Sequence, residues 1–98
     1  MGKRKVTILD TAVESVANVA LFIEGKGMPE TAKRFVDNAF AFFDELSNER
    51  LVHRPCRHLQ WKKLTYRCAT FRKKYTVAYL EHSKEIIICE FVLTKLVI

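Results

Sequence analysis

Nine cations, Arg50, Arg54, Arg57, Lys62, Lys63, Arg67, Arg72, Lys73 and Lys74, occupy a stretch in which no acidic residue falls between Glu49 and Glu81. The whole chain carries a formal net charge of +6. Such a block is either a solvated face or the footprint of a polyanion or an acidic protein, and a partner of opposite charge is the reading adopted. Trp61, between Gln60 and Lys62, is an aromatic anchor in this basic surrounding, of the kind that interfaces enrich. Tyr75 and Tyr79 are four apart, so on a strand they share a face, where they either stack on bases or fill a core. The core is the expectation for Tyr75. His53, Cys56, His58 and Cys68 nominally offer four soft ligands to zinc, but their spacing matches no common finger, and neither metal nor cofactor is expected. Cys56, Cys68 and Cys89 are odd in number and lack a Cys-x-x-Cys spacing, so they read as reduced, buried thiols.

These groups need elements to position them. Lys5 to Leu9 alternates and is β-branched, which predicts a short strand. Thr11 and Glu14 have the capping-box spacing and predict a helix start. Val13, Val16, Ala17, Ala20 and Leu21 then recur at helical spacing, and Gly25 and Gly27 end the helix. Pro29 and Glu30 open a second helix running roughly to Ser47. Its apolar positions are Ala32, Phe35, Val36, Ala39, Phe43 and Leu46, with Phe40 and Phe42 widening the stripe. A short link makes the two helices an antiparallel hairpin. Residues 48–63 break the pattern and read as a basic loop with an edge strand around His58 to Trp61. Period-two runs over residues 64–71, 75–80 and 86–93, joined by short charged turns, predict an antiparallel meander.

The 98 residues fit one domain spanning 1–98. Hydrophobic residues make up 49% and charged residues 29%, a globular balance, and seven Phe can fill a core. No run reaches the length needed to span a bilayer, and Met1 to Lys5 leads into alternating residues without an apolar signal core, so a cytoplasmic protein is expected. The order strand, helix, helix, strands gives an α+β layer in which the hairpin covers one sheet face.

Three stretches carry a resemblance to a known family. Met28 to Phe35, with its proline and Ala-x-x-Phe ahead of Leu46, is similar to the second-helix entry of the RelE/ParE toxin superfamily. Tyr66-Arg67 resembles the pair that opens the middle of that family's sheet. Tyr75 to Tyr79, followed by Ile86 to Ile88, resembles its Tyr-x-x-x-Tyr strand and the apolar strand beside it. The resemblance implies an N-terminal strand, an antiparallel two-helix hairpin and a twisted, mainly antiparallel sheet. It also implies the toxin half of a type II toxin–antitoxin module, used in plasmid stabilisation. The partner would be an acidic antitoxin encoded next to it, and the target either DNA gyrase or the ribosome with its mRNA, with no membrane involved.

Cutting RNA through its own 2′-hydroxyl needs a proton acceptor, a proton donor and fixed positive charge. The candidates are Lys62, Lys63, Arg67, Arg72 and Lys95 for charge, Arg67 and Lys95 foremost, with His58 and Tyr79 for protons. Nuclease members of the family carry basic pairs and often an aromatic after the last strand, whereas here the tail reads Leu93-Thr94-Lys95-Leu96-Val97-Ile98. Leu96 stands where a functional arginine is expected, which favours a ParE-like binding toxin over a RelE-like endonuclease. A degenerate domain that keeps only its interaction surface is the third reading. The expected target-binding surface is Trp61, Lys62, Lys63, Arg67, Arg72 and Lys95, with Arg67 on the open sheet face if Tyr66 points inward.

Overall fold

The computed structural model describes residues 4–48 and 54–96. Strand β1 (Lys5–Ile8) leads into helices α1 (Asp10–Gly25) and α2 (Pro29–Leu46). A short helix α3 (Leu59–Lys63) precedes strands β2 (Arg67–Phe71), β3 (Tyr75–Glu81) and β4 (Glu85–Leu93), and a 3₁₀ turn (Thr94–Leu96) follows. The sheet order is β1-β4-β3-β2, with β1 parallel to β4 and the other pairs antiparallel. The architecture is therefore α+β, with a mixed four-stranded sheet. No helix among the described residues is long and apolar enough to cross a membrane.

The capping box is not formed. Extended Leu9 is the N-cap and makes no side-chain cap bond, so the helix starts two residues earlier than a Thr11 cap would set it. Thr11 instead donates its hydroxyl to the Cys89 carbonyl at 2.8 Å, tying α1 to β4. The phase of α1 differs too. Ala12 and Val16 are buried and Val19 and Ile23 pack against the core, whereas Val13 and Leu21 are 38% and 63% exposed. Apolar residues lie on several faces of α1, so periodicity alone does not choose between them. At the end of α1, Gly27 adopts φ +84°, where an L side chain would be strained, and its N–H donates to the Glu24 carbonyl. Pro29 takes the first position of α2, and the predicted face is buried at Ala32, Phe35, Ala39, Phe43 and Leu46.

Tyr75, Val77 and Tyr79 of β3 face the helices. On β4 the inward residues change parity, from Ile86 and Ile88 to Phe91 and Leu93. A bulge makes this possible: Ala78 pairs with Glu90 but Tyr79 with Ile88, leaving Cys89 as the extra residue.

The expected edge strand at His58 to Trp61 is replaced by α3. Pro55 makes one isolated bridge to Arg67, flanked by Cys56 N–H to the Tyr66 carbonyl and Cys68 N–H to the Arg54 carbonyl. A proline offers no N–H to a ladder, so the pairing stops there. The bridge brings Cys56 and Cys68 together, with Cα atoms 4.9 Å apart, and they form a disulfide with an S–S distance of 2.09 Å. This corrects the expectation of three reduced thiols, which holds only for buried Cys89.

The β2–β3 hairpin closes through Lys74 N–H to the Phe71 carbonyl, and its central residues Arg72 and Lys73 have φ 53° and 60°. Two left-handed residues in succession favour Asn-Gly, and long side chains there cost about 1–2 kcal/mol each. Lys73→Gly is accordingly expected to raise stability by about 0.5–1 kcal/mol, the gain in φ freedom being partly offset by glycine's larger unfolded-state entropy, as urea denaturation would measure.

Candidate functional site: a basic cavity on the open sheet face

On β2, Ala69 and Phe71 point into the helix-covered core, so Cys68 and Thr70 point to the opposite face. Thr70 pairs with Thr76 on β3, and the Thr76 and Thr94 hydroxyls lie 2.9 Å apart. The segment carrying Arg54, Pro55, Arg57, His58 and Leu59 stands over this row of hydroxyls. Together they enclose a cavity of about 680 Å³, with Cys68 of the disulfide in its wall.

Two cations border it. Arg54 and Arg57 are exposed, and no carboxylate among the described residues pairs with either. The His58 Nδ1 is buried without a hydrogen-bond partner, and its ring packs against Trp61 at 5.1 Å. Trp61 in turn lies 6.4 Å from the ring of Tyr66. Two guanidinium forks, an imidazole and three hydroxyls are suited to an anion with several oxygens, a carboxylate or phosphate held by more than one bond.

The residues singled out by sequence fall in separate places. Trp61, Lys62 and Lys63 sit on α3 beside this cavity, Trp61 half-buried and both lysines exposed. Arg67 is half-buried opposite Tyr79 in the ladder, on the face shared with Ala69 and Phe71, so the expected open-face position is not the one it takes. Tyr66 lies instead on the side of Cys68, with its hydroxyl hydrogen-bonding Cys89; burial first, and this bond second, raises the phenol's pKa. Arg72 caps the hairpin tip, 5.3 Å from the Phe71 ring and 6.0 Å from the Phe35 ring. Lys95 is exposed and lines a different cavity together with Lys26, Lys73 and Lys74.

Tyr79 is fully buried in the core. Burial, reinforced by the Glu81 carboxylate and opposed by Arg4 and Arg67, pushes its pKa up to about 12. It is therefore a poor proton donor or acceptor near neutral pH. His58, Arg67, Tyr79 and Lys95 thus do not converge on one point. The nominal zinc ligands do not assemble either: Cys56 and Cys68 bond each other, His53 lies outside the described residues, and no group of three His, Cys, Asp or Glu among the described residues could hold a metal ion.

Sequence reasoning passed over Arg54 and Arg57 as individuals, and over Thr70 and Thr76. The threonines carried a signal, since a tight turn at Arg72 to Lys74 places Thr70 opposite Thr76. No protein-family model matches the chain, and no curated protein is similar to it.

Tyr79 generates a pH dependence. Its folded pKa of about 12 lies above the ordinary tyrosine value of about 10, so the native state holds the proton more tightly. That contribution is complete below pH about 10 and is lost as pH rises towards about 12. Urea midpoints should fall across this window, and Tyr79→Phe should flatten the fall.

Proposed function

We propose that this chain is the toxin of a toxin–antitoxin pair of the RelE/ParE class, acting by docking on an essential intracellular complex such as DNA gyrase rather than by cutting RNA. The order strand, two helices and three antiparallel strands, with the hairpin on one sheet face, supports the class. The observation that carries the mechanism is the dispersal of His58, Arg67, Tyr79 and Lys95, with Tyr79 sealed in the core. Docking needs no such convergence. Arg54 and Arg57 in the cavity, with Trp61, Lys62 and Lys63 beside it, form a basic surface with an aromatic anchor, which speeds encounter with acidic surfaces and selects them. Leu9 ahead of α1, and Val13 and Leu21 on it, leave apolar surface for an antitoxin to cover. A cytoplasmic setting goes with this reading.

A second reading, a ribosome-dependent mRNA endonuclease, takes support from one fact: Arg54, Arg57 and His58 line the same cavity. The two readings separate on induced expression. DNA supercoiling should fail before translation, and Arg54→Glu with Arg57→Glu should relieve toxicity while the thermal midpoint is kept. Ribosomes programmed with mRNA should show no cleavage. Site-specific cleavage reduced about a hundred- to a thousand-fold by Arg57→Ala or His58→Ala would put the endonuclease first.

A further inference from the structure

The cavity around Lys95 has a different chemistry. Its volume is about 850 Å³, and four lysines border it from three separate segments: Lys26 after α1, Lys73 and Lys74 in the β2–β3 turn, and Lys95 after β4. No carboxylate among the described residues pairs with any of them. Their placement is held. The Lys26 Nζ sits 4.4 Å over the Phe22 ring, and Thr94 donates its N–H to the Lys74 carbonyl at 2.8 Å, fixing the final turn against the hairpin. Lys73 occupies φ 60° directly after Arg72 at φ 53°, a conformation that glycine would adopt with less strain.

Between the lysines the lining is apolar. Phe22 and Met28 are 54% and 43% exposed there, with half-buried Leu93 beside them. We propose that this cavity docks an acidic segment of a partner protein in which carboxylates alternate with apolar side chains. The proposal deepens the toxin reading by giving the acidic antitoxin a place, and it rests on that reading only for the partner's identity. A nucleic acid backbone would meet the lysines but leave Phe22 and Met28 wet. A single fatty-acid head group would meet only one or two of four spread cations. An acidic-apolar peptide meets both, and four point charges without an arginine fork suit separate carboxylates better than a bidentate phosphate.

The test is a displayed library of random peptides panned on the full chain, followed by a synthetic copy of the leading peptide. Winners should carry Asp or Glu interleaved with Leu, Ile or Phe. The synthetic peptide should lose at least about tenfold in affinity on Lys26→Glu with Lys95→Glu, weaken as salt is raised, and bind Lys33→Glu, on exposed α2 surface, as it binds the wild type. If the double reversal lowers the thermal midpoint, Lys26→Gln with Lys95→Gln replaces it and should still weaken binding several-fold. Three results overturn the site: winners without this pattern, equal affinity for the folded lysine variants, or displacement by oligouridylate as effective as by unlabelled peptide. A chain that is harmless on expression yet binds these peptides through the lysines would sink the toxin reading and leave the site standing. A toxic chain whose winning peptides ignore the lysines would do the reverse.

Discussion

The ring of Phe35 is the contact on which the layers depend. From the middle of α2 it meets Phe71 of β2, Tyr75 of β3 and Phe91 of β4 edge-on, at centroid distances of 6.0, 5.5 and 6.1 Å. Tyr75 and Phe91 stack on each other at 5.0 Å, so one helical side chain reads three strands at once. Edge-to-face aromatic pairs add about 0.5–1.5 kcal/mol each beyond their buried area, and they also fix direction. This arrangement requires Phe91 to face the helices although Ile86 and Ile88 already do. The extra residue at Cys89 reconciles the two, and the Thr11 hydroxyl bonds the carbonyl of that residue. Helix phase, strand parity and bulge are one solution rather than three.

This coupling explains what could be read in the chain and what could not. The face of α2 was legible because Phe35, Ala39, Phe43 and Leu46 permit one phase only. The turn at Gly27 and Pro29 was legible from local chemistry. The face of α1 was not, because Val13 and Leu21 form as good a line as Val16, Val19 and Ile23, and only the sheet decides between them. Strand β2 had the same ambiguity: Tyr66 and Cys68 on one side compete with Ala69 and Phe71 on the other, and the wrong parity moves Arg67 across the sheet. The disulfide depends on a single bridge at Pro55 between segments that local pattern had called loop and strand. The bulge left no trace in sequence at all.

The charge was legible as an amount but not as a place. The block from Arg50 to Lys74 looks continuous along the chain, yet folding sends Arg54 and Arg57 to one cavity, Arg67 to the helix-covered face, and Lys73 and Lys74 to another cavity. Lys26, outside the block, joins the last two because the end of α1 meets the hairpin tip. Repulsion between like charges in a run is thereby spread over surfaces with different neighbours. The arginines meet hydroxyls and an imidazole, the lysines meet aliphatic and aromatic side chains, so the two surfaces differ in chemistry.

The sheet also has two outer borders, and both are guarded. Strand β1 is four residues long, and at its start Arg4 donates its backbone N–H to the Ser47 carbonyl and its guanidinium to Glu81. Beyond β2 the 54–56 segment occupies the ladder for one bridge and then turns away at the disulfide. An incoming strand therefore finds little continuous backbone to zip onto, which restrains edge-to-edge aggregation. Recognition by β-augmentation is disfavoured for the same reason, so whatever binds this molecule must be read through side chains and cavities rather than by extending its hydrogen-bonded ladder.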